Sequence, residues 1–113
     1  MNNLGEIIRD LVIIKFLAVE KRDYNNPKIQ ESIAAINYRL DKSTYSFKQD
    51  IEAFNRRMSE CIKGLEYIRD ETPGRIEPLN FILEKLYQII SKARRLQELE
   101  YLVAEIELNM KLG

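Results

Sequence analysis

The chain has 113 residues, which suits a single domain, and its 18 basic and 18 acidic side chains give a net charge near zero. Hydrophobic residues make up 45% of it, too many for a disordered chain, and the balanced charge excludes a global field that would attract nucleic acid or an anionic membrane. Because there is no histidine and only one cysteine, Cys61, the composition excludes zinc sites, His-dependent catalytic triads and an intrachain disulfide.

The first predicted element is a helix over about residues 3–23. Ile13, Phe16 and Leu17 lie on the opposite side from its main apolar stripe, so this helix is expected to be buried on more than one side. Its apolar stretch is interrupted by Lys15 and is too short to span a bilayer. Binding to a membrane surface through this helix is an alternative function. The main stripe consists of Leu4, Ile7, Leu11, Ile14 and Ala18.

The second predicted helix begins at Pro27, which suits the first helical position, with Asn26 placed to cap it. It covers about residues 27–71, and its apolar residues alternate in spacing between three and four, with one stutter near the middle. Because residues 42–46 include weak helix formers, the segment forms either one continuous helix or two helices broken there. The repeat consists of Ile29, Ile33, Ile36, Leu40, Thr44, Phe47, Ile51, Phe54, Met58, Cys61, Leu65 and Ile68.

Two prolines and a glycine between Thr72 and Pro78 predict a turn, followed by a helix over about residues 78–111. The middle and last helices would then form an antiparallel hairpin. Leu83 and Ile90 fall outside the main repeat of the last helix, so this helix is expected to contact two neighbours. The repeat consists of Leu79, Ile82, Leu86, Ile89, Ala93, Leu96, Leu99, Val103, Ile106 and Met110.

The predicted fold is all-α: an elongated antiparallel helical bundle or coiled-coil hairpin of three helices, or of four if the middle segment breaks. Because the first helix is much shorter than the other two, one end of the rod would hold three helices and the other end only two. The two-helix end cannot cover Leu83 and Ile90. We therefore expect a second copy or another protein to cover them.

Basic side chains are predicted to meet halfway along the hairpin, which turns near Gly74. From Glu98 onward the last helix is acidic, so two copies pairing antiparallel would set basic residues against acidic ones. A basic belt could instead be a solvated face, or could contact phosphate, which makes a nucleic-acid-associated regulatory oligomer an alternative function. The belt would consist of Arg56, Arg57, Lys92, Arg94 and Arg95.

No motif in the sequence indicates catalysis, since the glycines are isolated and the carboxylate pairs have the spacing of a helix surface. The sequence favours a non-enzymatic, cytoplasmic protein–protein interaction module that needs no cofactor, such as an adaptor, scaffold, small chaperone or inhibitor. The expected partner is another protein or a second copy, in an antiparallel pair. The candidate interaction residues are Leu83, Ile90, Arg56, Arg57, Lys92, Arg94, Arg95, Leu99, Val103 and Ile106.

Overall fold

The computed structural model describes residues 4–42 and 50–112, and within them the chain is all-α, as the sequence predicts. Four α-helices pack against one another, and the longest dimension of the molecule is 60 Å. The elements in chain order are α1 (Gly5–Ile14), a π-helical segment that continues it (Lys15–Glu20), α2 (Pro27–Lys42), α3 (Ile51–Glu71) and α4 (Glu77–Leu112).

Side-chain contacts fix the direction of the first two helices. The short connection from residue 21 to residue 26 joins the end of the π-helical segment to the start of α2. Near the other end of α2, Arg39 reaches back to Glu6 and Asp10 in α1, with nitrogen–oxygen distances of 2.9 and 2.6 Å. The two helices are therefore antiparallel.

The third and fourth helices extend this alternation. In α3, the Cys61 thiol donates a hydrogen bond to the carbonyl of Leu11, and Gly64 lies against Val19 further along, so α3 runs parallel to α1. The Tyr87 hydroxyl of α4 donates a hydrogen bond of 2.6 Å to the Glu66 carboxylate, close to the turn that joins α3 to α4. The bundle therefore alternates in direction from each helix to the next.

This alternation decides between the two predicted forms of the middle segment. Because α2 and α3 run in opposite directions, a single continuous helix over residues 27–71 is wrong, and the four-helix alternative describes the fold. The break itself was predicted at residues 42–46, of which residues 43–46 lie outside the described residues. The repeat of three and four residues continues on both sides because each helix has its own buried stripe.

The first helix also differs from its prediction in its second half. A continuous α-helix was expected to about residue 23, but from Lys15 to Glu20 the backbone is π-helical, and the Lys21 amide bonds to the Phe16 carbonyl five residues back. After the segment ends at Glu20, Arg22 has a φ of 54°, in the left-handed region, and the Asp23 amide bonds to the Leu17 carbonyl six residues back. Arginine therefore occupies a left-handed position after a helix end, where glycine is preferred.

The predicted boundaries at the two breakers agree with the structure. The side-chain oxygen of Asn26 accepts a hydrogen bond of 2.9 Å from the Lys28 amide, so Asn26 caps α2 with Pro27 at the first helical position. At the end of α3 the Thr72 hydroxyl donates to the Ile68 carbonyl, and the turn passes through Gly74, whose φ is +87°. Only glycine adopts that angle without strain.

Most of the predicted repeat residues form the core. The stripe of the first helix is fully buried, and so are nearly all described members of the middle repeat. The repeat of α4 is buried as far as Ala93, and Leu96 packs against the core at its edge. Beyond Leu96 the repeat residues are exposed, so the end of α4 presents apolar side chains that its own core does not cover.

Candidate interaction surface

The last helix is much longer than the helices it packs against. It has 36 residues, whereas α3 has 21, so at 1.5 Å per residue the two differ in length by roughly 20 Å. Counting from the contact between Glu66 and Tyr87, the first residue of α3 lies opposite Leu102. The remaining residues of α4 extend past the start of α3. We call residues 99–112 the tail.

The tail carries large apolar side chains in water. All of them are at least half exposed, from Leu102 at 50% to Leu112 at 78%. Monomeric proteins rarely expose contiguous apolar patches of this kind unless another surface covers them. The exposed apolar residues of the tail are Leu99, Tyr101, Leu102, Val103, Ile106, Leu108, Met110 and Leu112.

The outward face of α4 changes from polar to apolar where the tail begins. In the bundle this face carries Glu84, Gln88, Ser91 and Arg95, all exposed, as expected for a helix face in water. The same face then continues with the exposed Leu99, Leu102 and Ile106.

The least exposed positions of α4 change in the opposite sense at the same place, from apolar to polar or small side chains. The least exposed positions after Ala93 are Leu96, Gln97, Glu100 and Ala104, so the best covered positions of α4 become polar or small there. The outward apolar residues of the tail, Leu99, Leu102 and Ile106, therefore do not extend the core of this molecule, because they point away from it.

Of the predicted interaction residues, Leu99, Val103 and Ile106 lie on this exposed surface. Leu102 was predicted to lie outside the main repeat, although it belongs to the same patch. Its spacing was a usable signal: Leu102 follows Leu99 by three residues and precedes Ile106 by four, so the three share a helix face.

Leu83 and Ile90 were predicted on an uncovered flank, and this prediction is wrong. Leu83 is 2% exposed and belongs to the core, while Ile90 is half-buried and packs against it. The physical reason is the fourth helix: both α2 and α3 contact α4, so they cover the flank that a three-helix arrangement would have left open.

The predicted basic belt does not form as one surface. Arg57 bonds to Glu60 in its own helix, at 3.1 Å. Lys92 donates hydrogen bonds to Asn37 and Asp41 of α2, at 3.2 and 2.9 Å. Its side chain therefore lies against α2, whereas Arg57 belongs to α3.

The other members of the belt are exposed but lie in a shifted register. Arg56, Arg94 and Arg95 are all exposed. The hairpin places Glu66 beside Tyr87, whereas the predicted register would have placed it beside Leu83, one helical turn away. Carboxylates offset the charges of Arg57 and Lys92. Without these two residues, no continuous phosphate-binding stripe remains on the described part of the hairpin.

A charged cluster that the sequence analysis missed joins α1 to α2. Asp10 is buried, and Arg39 contacts both Asp10 and Glu6. Burial raises the pKa of Asp10 above its ordinary value, against the opposing effect of Arg39. The signal in the sequence is the position of Asp10 three residues after Ile7 in the buried stripe, because a charge there needs a partner.

Cys61 is a buried core residue, as its apolar surroundings in the repeat predicted. Burial raises the pKa of its thiol to about 12, and the thiol donates a hydrogen bond of 3.3 Å to the Leu11 carbonyl. Such a thiol is almost fully protonated at neutral pH, and only the thiolate is a nucleophile. Its role in the described structure is packing.

Within residues 4–42 and 50–112, no three His, Cys, Asp or Glu side chains come close enough together to hold a metal ion. In the same residues no helix combines the length and the apolar character needed to cross a membrane. No protein-family model, curated protein or solved structure matches the chain.

Proposed function

We propose that the chain is a non-enzymatic protein–protein interaction module of the adaptor, scaffold, small chaperone or inhibitor kind, and that it self-associates. Its binding surface is the tail of α4. The observation that carries the proposal is the change of the outward face from polar to apolar at Leu99. A cytoplasmic location is part of the proposal, since the single cysteine, Cys61, is a buried free thiol.

The spacing of the exposed residues supports recognition by helix packing. Leu99, Leu102, Val103 and Ile106 stand at positions i, i+3, i+4 and i+7, the anchor pattern of an amphipathic helix that lies in an apolar groove. Each fully buried side chain of this size contributes about 1.5–3 kcal/mol relative to leaving it exposed. The four anchors are 50–57% exposed, so covering them completely contributes roughly half of that for each, or about 3–6 kcal/mol together, toward the cost of association.

The tail has a second apolar side that a partner could also contact. Tyr101, Leu108 and Leu112 lie on the opposite side of the helix from Leu99 and Ile106. A helix with apolar residues on two sides is typical of one that packs between two neighbours. This supports an assembly in which the tail is enclosed rather than covered on one side only.

The test is the mass of the protein in solution. We expect sedimentation velocity to give a mass above the 13.4 kDa of one chain, and Ile106→Asp to reduce it to one chain without lowering helix content. Tyr67→Asp is the matched control, because Tyr67 is similarly exposed but lies in α3, near the turn. A wild-type protein that stays at one chain mass at the highest attainable concentration would refute self-association.

A further inference from the structure

An apolar groove lies beside the π-helical segment, on a different part of the bundle from the tail. Its apolar lining is Val12, Ile13, Phe16 and Leu17, and its volume is about 560 Å³, within the range of about 300–1,000 Å³ typical of ligand pockets. Val12 is 41% and Phe16 47% exposed, although the opposite face of α1 and of its π-helical continuation is buried in the core. We call this the π-helix groove.

The charged residues around the groove are mainly basic. Lys15, Lys28 and Arg57 line it, with Glu20 as the only carboxylate among the lining residues. Glu60 accepts hydrogen bonds from Lys15 and Arg57, at 3.4 and 3.1 Å, and offsets one of these charges. The three cations outnumber Glu20 and Glu60 by one, so the rim keeps a small net positive charge, which Lys28 supplies from the first turn of α2.

The tail has the complementary character. Residues 99–112 contain three glutamates and one lysine beside their apolar anchors, so the tail is an acidic amphipathic helix. Two tails packed together would bring helices of the same net charge into contact. In the predicted antiparallel pair, basic residues of one copy would face acidic residues of the other. That attraction is also weakened, because Lys92 already bonds to Asp41 within its own chain.

We propose that the tail of one copy binds in the π-helix groove of a second copy. This inference rests on the proposed function and specifies its partner: the apolar anchors Leu99, Leu102, Val103 and Ile106 cover Val12 and Phe16, while the exposed Glu105 and Glu107 face the basic rim. Such an interface joins two different surfaces, so each copy offers one donor tail and one acceptor groove. Opposite charges set the orientation and the specificity of the contact.

Two defective variants test this arrangement by complementation. Ile106→Asp removes an anchor of the tail and leaves the groove intact, while Phe16→Asp damages the groove and leaves the tail intact. Each variant alone is expected to sediment as one chain. When the two are mixed in equal amounts, the tail of the Phe16→Asp copy can bind the groove of the Ile106→Asp copy, so a complex of two chains is expected.

The outcomes separate this inference from the proposed function. If Ile106→Asp dissociates the assembly but Phe16→Asp assembles like the wild type, the tail binds a surface other than the groove, and the inference fails while the function stands. If Ile106→Asp assembles like the wild type, the proposed function itself fails. Tyr67→Asp is again the control and is expected to assemble normally.

A second variant keeps the test valid if Phe16→Asp does not fold. Lys28→Glu reverses a charge on the exposed rim without touching the core, and we expect it to weaken association about three- to five-fold, as for a rim ion pair. A double variant that carries both Lys28→Glu and Glu105→Lys should recover the affinity of self-association, because the two side chains again have opposite charges. No effect of Lys28→Glu at low salt would overturn the proposal.

Vesicles of phosphatidylserine test a membrane surface as the other occupant of the groove. We expect Ile106→Asp, whose groove is unoccupied in the monomer, not to co-sediment with them. Co-sedimentation of Ile106→Asp but not of Phe16→Asp, together with failure of the mixed variants to form a complex, would overturn the proposal in favour of lipid.

Discussion

Gly64 in the middle of α3 lies where the π-helical segment approaches most closely, and its replacement by alanine tests that contact. In an open helix position, Gly→Ala stabilises a protein by about 1 kcal/mol. Here an added Cβ would lie 2.7 Å from Cγ1 of Val19 and 3.0 Å from its Cγ2. Val19 is β-branched and stiff, so it cannot easily move aside.

The expected magnitude follows from these opposing effects. Overpacking by one methyl group costs about 1–3 kcal/mol. A contact of 2.7 Å places the cost in the upper part of that range, at about 2–3 kcal/mol, which outweighs the gain of about 1 kcal/mol in helix propensity. We therefore expect Gly64→Ala to lower the free energy of unfolding by about 1–2 kcal/mol, or the melting temperature by roughly 4–8 °C. Urea unfolding followed by far-UV circular dichroism at low protein concentration measures this change.

The matched background is Val19→Ala, which removes the two methyl groups that the added Cβ would contact. In this background Gly64→Ala should become stabilising by about 1 kcal/mol, so the double-mutant cycle should show a coupling of about 2–3 kcal/mol. A Gly64→Ala protein as stable as the wild type, with additive effects in the cycle, would show that the close approach of the two segments does not exist.

Three further predictions concern single side chains. Because burial raises the pKa of Cys61 to about 12, its thiol should react with a disulfide reagent at about pH 8 only as fast as the protein unfolds; immediate labelling would contradict the burial. Arg39→Ala should cost about 2–3 kcal/mol in urea unfolding, because it leaves the Asp10 carboxylate buried without its partner. Burial raises the pKa of Asp10, so the folded state holds its proton more tightly than the unfolded state. The loss of unfolding free energy in Arg39→Ala should therefore be smaller near pH 4 than near pH 7, and an equal loss at both would refute this. Arg22→Gly should stabilise by about 0.5–1 kcal/mol, since Arg22 has a positive φ, whereas Lys21→Gly, at a negative φ, should destabilise.

The class of the fold and most of its core could be predicted because each buried stripe is local information. Spacings of three and four residues identify which side of a helix is dry, and Asn26, Pro27 and Gly74 mark where helices begin and where the chain turns. These signals depend only on neighbouring residues. They agree with the structure for the buried part of every described α-helix.

The direction of the helices could not be predicted in the same way. The repeat from Ile29 to Ile68 reads the same whether the chain continues straight or folds back, since periodicity reports a helix face and not its orientation. This ambiguity also explains the misplacement of Leu83: its exposure depended on how many helices surround α4, which is a tertiary property. The predicted register differs by one turn for a related reason, because a turn such as the one near Gly74 fixes register only to within a few residues.

The candidate surface was predicted in part. Leu99, Val103 and Ile106 follow from the repeat, but their exposure could not be read from it, because an apolar repeat looks the same whether its own chain or a partner covers it. The sequence signal for the π-helix groove was that Ile13, Phe16 and Leu17 lie off the main stripe, and it was interpreted as a second buried side of the helix. The groove lies beside a local π-helical backbone, which the spacing of apolar residues does not encode.

The helical order of the tail and its proposed role are physically connected. An isolated helix of fewer than about 12–15 residues is marginal in water, and the tail has little of its own bundle beside it. It is helical here as a continuation of a helix that the bundle has already nucleated, so extending it requires no new nucleation. A partner that binds the tail therefore meets a helix that is already formed and loses less conformational entropy than it would by ordering a free segment. A long last helix with its apolar side turned away from the core is thus well suited to binding, and for the same reason it contributes little to the stability of the bundle that carries it.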